Sequence, residues 1–533
     1  MSVDLGQSRP RLLFTLFVAW GALIFWIAPH PPMVDLPQHA GQIALLHDFV
    51  LRSSPWSDNF LINLSTPYLL GYGLALPLSF IMPIAASMKL LLSIAYLGFV
   101  FIGVKMRQRV GADERIDWLF IPGFFGFSYN WGLYTFLLAA PICLLFIYLA
   151  DRYAEKPGLR RGVWTVLCGL ALLVSHGLAF VLGWAAGFGL LALRSLRARR
   201  IPVAQVLPFA LLALGAVGYF ILGRHMDAAV ISSNGVADYW GPDPLARLLN
   251  GLMFNFAFDH VSGSPNRYMV LGALMFLAPL LMGLRPRWRN LASWVPFACV
   301  AGIFFLGPST ASNTSLLYER FSLYLLPLFA WLCAAPKASD AALSAFGAAR
   351  ARVGQGVLIL CCVATLGMVS LNAWRFRAET HDFDAAVRQL DAKARTLGLV
   401  FDTSSTTLRN NIVYVHYPLW YQAEKHGLTD FNFAWFTPQI VRYKPSRQPP
   451  VHIGFEWSPD QFNWKQHQGE HYRYFFVRGP HASVEKLFAG APCMPQQVIS
   501  AGAWVVYENP CVREGAAAGG APQVASFEGK AGQ

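Results

Sequence analysis

The chain has 533 residues, of which 55% are hydrophobic and only 13% charged, and its formal net charge is +13. A soluble domain carries about 25% charged residues, so the composition excludes an ordinary soluble globule. Nor is the positive charge a nucleic-acid footprint. Residues 376–533 hold 15 Lys/Arg against 14 Asp/Glu, which leaves +12 on the first 375 residues. There the basic side chains gather in short stretches between apolar runs (Arg9 and Arg11, 152–161, 194–200 and 285–289), the pattern of cytoplasmic loops.

The first apolar run extends from Leu12 to Ile27. The residues after it, Ala28-Pro29-His30-Pro31-Pro32, offer no small-x-small cleavage site, so it reads as an uncleaved first membrane helix. A crossing of about 30 Å of hydrocarbon needs about 20 mostly apolar residues. Runs of that kind lie at 11–28, 131–150, 162–176, 177–193, 202–223, 268–284, 290–306, 320–335 and 355–373. Residues 67–104 fit one crossing or two. If they cross twice, the basic loop 105–116 lies outside and 117–129 need not cross; if once, that loop lies inside and 117–129 must cross. The positive-inside pattern favours the second solution. Both give about 11 crossings, with the N-terminus inside and everything after residue 375 outside. The expected fold is thus a polytopic all-α transmembrane bundle over 1–375, with a first outer loop at 29–66. A soluble extracytoplasmic α/β domain is expected at 376–512, where β-prone runs such as 398–402 and 472–477 alternate with polar stretches. The Ala- and Gly-rich residues 513–533 are expected to be disordered.

Cys143, Cys168, Cys299, Cys333, Cys361 and Cys362 fall within or at the ends of predicted spans, while Cys493 and Cys511 fall in the outer domain. An oxidising compartment allows that pair to close a loop. No CxxC pair, P-loop, GxSxG elbow or HExxH motif occurs. This argues against zinc ribbons, P-loop pumps, serine hydrolases of that kind and zincins. Few charges other than Lys89 lie inside the spans, which argues against an ion-coupled transporter.

The cytoplasmic loops hold little besides Lys and Arg, so chemistry is expected on the outer side. The most informative segment there is His30-Pro31-Pro32-Met33-Val34-Asp35-Leu36-Pro37-Gln38-His39. Pro37 suits the first turn of a helix, because its missing N–H needs no partner there. Asp35 then stands before the helix, where the positive end of the dipole favours an ionised carboxylate. His39, four residues on, can share its face. Asp35 is read either as a cap of a surface helix or as an ionised base near the membrane, with or without a metal.

A long outer loop after the first span, with Asp35 shortly beyond that span, resembles the GT-C superfamily of membrane glycosyltransferases, over about residues 10–375 by architecture. In that family the loop carries an acidic motif, often two adjacent carboxylates; here Asp35 has no acidic neighbour. The resemblance implies an inverting transfer of a sugar from a polyprenyl-phosphate donor to an envelope glycan or lipid acceptor on the outer face. It makes Asp35, with His39, the catalytic pair and the ligands of any divalent Mg or Mn cofactor. Outer-side cations would stabilise the leaving phosphate: Arg320, Arg267, Arg224 and His225. Arg320 is read alternatively as an interfacial residue that snorkels and pairs with Glu319. Asn130, Trp131, Trp240 and His176 are the candidate acceptor contacts, although aromatic residues at span ends also serve as membrane anchors. The aromatic stretches 420–426 and 431–436 suit a domain core or a sugar-binding face. The expected partners are a polyprenyl-phosphate-linked sugar, membrane lipids and the acceptor, with no nucleic acid; the expected location is a bacterial inner membrane. Two rivals stay open: an envelope glycan polymerase or ligase using undecaprenyl-diphosphate-linked oligosaccharide, and a non-catalytic membrane-anchored binding protein.

Overall fold

The computed structural model describes residues 5–199, 203–227, 239–254, 266–311, 314–334, 345–408 and 412–512. The helices run in chain order as α1 (Leu5–Ile24), α2 (Leu36–Leu51), α3 (Leu69–Ser79), α4 (Ile84–Val110), α5 (Phe127–Trp131), α6 (Tyr134–Glu155), α7 (Leu159–Ser175) and α8 (Gly177–Arg197). They continue as α9 (Val203–Asp227), α10 (Pro244–Phe254), α11 (Asn266–Leu281), α12 (Leu291–Leu306), α13 (Ser322–Ala330), α14 (Ala345–Gln389), α15 (Leu419–Lys425) and α16 (Val484–Leu487). Among the described residues, five helices (α4, α6, α8, α9 and α14) are long and apolar enough to cross a membrane; shorter apolar helices include α3, α12 and parts of α1 and α11. The outward face of α9 carries Leu211, Leu214 and Phe220, each at least half exposed. Exposed apolar side chains in such a row are at ease against lipid tails and not against water.

Charge marks one end of the bundle. Arg107 makes a two-pronged pair with Asp117 at 2.9 and 2.6 Å. Asp151 holds both Arg109 and Arg194. Arg287 donates to the carbonyls of Val110 and Trp331. The opposite end carries Asp35 and the tail.

Residues 114–131 join the two ends, running from the Arg107–Asp117 pair to the main-chain contact of Trp131 with Asp35. They do so in tight 3-10 turns (Glu114–Phe120 and Pro122–Phe124) followed by α5, and residues 116–129 are buried without a break. A short, irregular backbone survives at such depth where protein covers it. Here α4 and α13 do so, and Gly103 of α4 makes the space: a Cβ there would lie 2.9 Å from the Phe120 ring.

The tail contains a five-stranded sheet. With β1 (Phe60–Ile62), β2 (Arg285–Pro286) and β3 (Cys333–Ala334) preceding, its strands are β4 (Arg395–Val400), β5 (Leu428–Asp430), β7 (Tyr474–Arg478), β8 (Gln496–Ala501) and β9 (Trp504–Glu508); β6 (Val441–Tyr443) lies apart. The order is β5-β4-β7-β9-β8, with β4 parallel to β5 and β7, and β9 antiparallel to both neighbours. One face packs Leu397, Leu399, Phe475, Val477 and Phe488 into a core of its own. Cys493 and Cys511 are joined by a disulfide.

The tail is bound to the first loop. β1 pairs antiparallel with β6, Leu61 opposite Arg442. α15 packs on α2, and Gln422 Nε2 donates to the Gly41 carbonyl at 3.0 Å. His30 sits between Asp384 at 3.1 Å and Glu424 at 2.6 Å. The expected boundary near residue 375 falls inside α14, whose 45 residues span about 68 Å at about 1.5 Å each, roughly twice a hydrocarbon core.

Candidate active site

Asp35 stands at the N-terminus of α2, as its place before Pro37 led one to expect, but its side chain makes no cap hydrogen bond. The carboxylate turns elsewhere. Oδ2 accepts from the indole N–H of Trp131 at 2.9 Å, and Oδ1 lies 3.4 Å from His416 Nε2. The main chain fixes the same meeting: Asp35 N–H donates to the Trp131 carbonyl at 2.8 Å, and Val34 N–H to the Asn130 carbonyl at 3.2 Å. Gly132 makes this approach possible. Its φ is +83°, and a Cβ there would come within 2.9 Å of the Asp35 and Leu36 amide nitrogens.

His416 comes from the turn before α15 and is buried. Its Nδ1 meets Gln38 Nε2 at 3.0 Å, while Gln38 Oε1 accepts from Phe433 N–H. Gln38 therefore turns its amide nitrogen to Nδ1, while Nε2 faces Asp35. Glu456, in a 3-10 turn, is close enough for Asp35 and His416 to act on its charge. Burial raises its pKa, His416 pulls it back and Asp35 pushes it up. Glu456 Oε2 is buried with no hydrogen-bond partner among the described residues.

His39 follows on the same helix face, but its Nδ1 pairs with the Tyr72 hydroxyl at 2.7 Å, and Tyr72 donates on to Gln439 Oε1. Burial pushes the His39 pKa down to about 4, against the pull of Asp35 and with a further push from His416. His39 is thus neutral at pH 7. Asp35 and His39 thus turn to different partners, Trp131 and His416 on one side and Tyr72 on the other.

Arg320 is buried beside the same turn. Its guanidinium donates to the carbonyls of Leu316 at 2.8 Å and Ser315 at 2.6 Å, and its backbone carbonyl accepts from Ser128. It lies within electrostatic reach of Asp35 and Tyr68. No ion pair joins it to Glu319 among the described residues; Glu319 accepts from Ser309 instead. Around it stand Phe136, Tyr68 and His176: the cation is 5.9 Å from the Phe136 ring, and His176 lies 5.0 Å from Phe136 and 5.1 Å from Tyr68. His176 also caps α8, accepting from Leu178 N–H. The next residues, Pro67 and Gly177, line an apolar cavity of about 560 Å³ between α7, α8 and α9, closed at one end by Thr437 and Pro438 of the tail.

The remaining candidates divide. Asn130 spends its side-chain amide on the Gly126 carbonyl. Trp240 is exposed, with its carbonyl held by Arg247. The side chains of Arg224, His225 and Arg267 lie outside the described residues. His416 and Glu456 carried no sequence clue, since neither sits in a motif and both reach Asp35 only through the docking of the tail.

No protein-family model matches this chain, and no curated protein does. Among solved structures, a mycobacterial arabinofuranosyltransferase, AftD, is similar over 93% of this chain with a TM-score of 0.48 and 15% identity; a mutant of that enzyme gives 0.47 and 12%. The similar region is 40% and 41% of the length of those chains.

Proposed function

We propose that this chain is an inverting membrane glycosyltransferase that moves a sugar from a polyprenyl-phosphate donor to an acceptor hydroxyl on the outer face of a bacterial inner membrane. The observation that carries the reading is the placement of a carboxylate freed from capping, Asp35, within electrostatic reach of a buried arginine, Arg320, whose guanidinium donates, among the described residues, to backbone carbonyls. A base within electrostatic reach of a buried cation suits a reaction in which a proton leaves one oxygen while negative charge builds on another.

In this mechanism the acceptor O–H attacks the anomeric carbon, the bond from that carbon to the phosphate oxygen breaks, and Asp35 takes the proton. The polyprenyl phosphate leaves toward Arg320, assisted by Arg267, Arg224 and His225. Trp131, through its indole N–H, and His416 hold Asp35 in place for the attack. Asn130, Trp240 and His176 border the acceptor side. The apolar cavity at Pro67 and Gly177 takes the first isoprene units of the donor, within a few residues of Arg320's neighbours. About 11 crossings fit the order of elements, with residues 114–131 and α13 as short crossings and Asp35 on the side away from the arginine-rich end.

The test is mass spectrometry of envelope glycolipids and glycans from cells lacking the protein, complemented with wild type or with Asp35→Asn. A single-sugar mass difference restored by wild type alone supports the reading. Restoration by both moves the base elsewhere, and no glycan change at all removes the transferase reading.

A further inference from the structure

Away from Asp35, at the far end of α2, three side chains converge for which the proposed reaction has no use. His47 and Asp48 belong to the last turn of that helix, and His426 is the residue that ends α15 in the left-handed region, at φ +52°. Asp48 Oδ1 lies 3.0 Å from His47 Nδ1 and 2.8 Å from His426 Nδ1. One ligand atom from each of the three falls within 4.8 Å of the others. The two imidazoles face each other at 5.1 Å, and Phe80 covers His47 at 4.9 Å. The Asp48 side chain is 5% exposed, His47 13% and His426 35%, so the group is shielded on the protein side and open on one.

Two features single this group out among the described residues. Both imidazoles aim the same kind of nitrogen at a single carboxylate oxygen, an arrangement in which Nδ1 lone pairs and a carboxylate can share one cation. The three ligands also come from two segments 378 residues apart, which the backbone alone would not hold in register. At metal–ligand distances of about 2.0–2.2 Å, tetrahedral ligand atoms lie about 3.3–3.6 Å apart, within a side-chain adjustment of the spacing here. Two imidazoles and one carboxylate suit zinc among the available divalent ions, whereas magnesium and calcium prefer all-oxygen shells.

We propose that His47, Asp48 and His426 bind a zinc ion that clamps the helix bearing Asp35 to the tail bearing His416. Three protein ligands leave the fourth position to water on the open side. The ion acts as a fastener between loop and tail and takes no part in sugar transfer, so zinc binding stands or falls independently of the transferase reading.

The test uses full-length, tag-free protein in nanodiscs, stripped with chelator and re-equilibrated with zinc chloride. Elemental analysis should find about one zinc per chain more in wild type than in the His47→Ala/His426→Ala double variant. Cobalt added in place of zinc should give wild type, and not the double variant, the strong visible bands of a tetrahedral site. His426→Asp, which keeps a ligand, should recover zinc binding that His426→Ala loses, and this separates ligation from a folding defect. Equal zinc content in wild type and double variant, or a cobalt spectrum that ignores the substitutions, overturns the proposal.

Discussion

Alanine at Gly132 isolates the contact on which the Asp35 geometry rests. The residue has φ +83°, where a side chain costs about 1–2 kcal/mol. A new Cβ would also lie 2.9 Å from two amide nitrogens, those of Asp35 and Leu36. Overpacking of that kind costs about 1–3 kcal/mol more, for a total of about 2–5 kcal/mol. The chain can relieve the overlap only by parting the α5–α6 turn from the start of α2, which lengthens the Trp131–Asp35 contacts. A displacement of about 1 Å at a catalytic group can reduce turnover about 100-fold. Gly111 is the control: its φ is +68°, but the nearest atom to a Cβ there is 3.8 Å away, at the opposite end of the bundle. Gly111→Ala should therefore lose only the conformational share and keep its activity. The assays are thermal unfolding in nanodiscs and recovery of the missing glycolipid sugar in complemented null cells. If the two variants melt alike and restore the product alike, the close approach at Gly132 does not position Asp35.

Trp131→Phe keeps the ring but removes the N–H that holds Asp35 Oδ2; a hydrogen bond to a charged group contributes about 1.5–3 kcal/mol, so turnover should fall roughly 10- to 100-fold, read as initial rates of labelled sugar transfer. Asp430→Ala removes a carboxylate that takes two hydrogen bonds from Arg395, at 3.1 and 2.7 Å, and one each from Tyr443 and Tyr472. Stranding that buried arginine should cost about 3–5 kcal/mol, seen as protease sensitivity of the tail sheet; an unchanged digestion pattern would contradict the pairing. His30 gives a pH dependence. Burial opposes its charge, but hydrogen bonds and charges from Asp384 and Glu424 outweigh burial and raise its pKa above 6.5. A raised folded-state pKa means that its contribution is complete below about pH 6.5 and disappears as pH climbs through the raised value. Hydrogen-exchange protection at α15, taken relative to the intrinsic rate at each pH, should therefore fall on the alkaline side in wild type, and His30→Gln should flatten that response.

The sequence made Asp35, Trp131 and Arg320 visible one at a time, because each stands at the end of an apolar run where a polar group asks for an explanation. What it hid is their meeting. Trp131 read as an acceptor contact or a membrane anchor, because indole at a span end suits either, and nothing in its neighbours says that its N–H has a carboxylate to reach. His416 and Glu456 were out of sight because hydrophobic periodicity carries no information about contacts across 378 residues, the separation of Gln38 and His416. The segment 117–129 was ambiguous for a physical reason too: buried throughout, it needs no amphipathic stripe, and its 3-10 turns erase the period by which a helix is recognised. The α/β character of the tail was legible in its β-prone runs. Its attachment through Gln38, Gln42 and β1 was not, since glutamines on a helix otherwise read as solvent-facing.

The pairing of β1 with β6 also sets a timetable for the newborn chain. Residues 60–62 leave the ribosome long before residues 441–443, with which they pair. At synthesis speeds of about 5–20 residues per second, the wait lasts roughly 20–75 s. Through most of that interval the first loop has neither its strand partner nor His416. Assembly at this end therefore waits for the tail, and a nascent chain halted after α14 holds Asp35 against Trp131 but without His416.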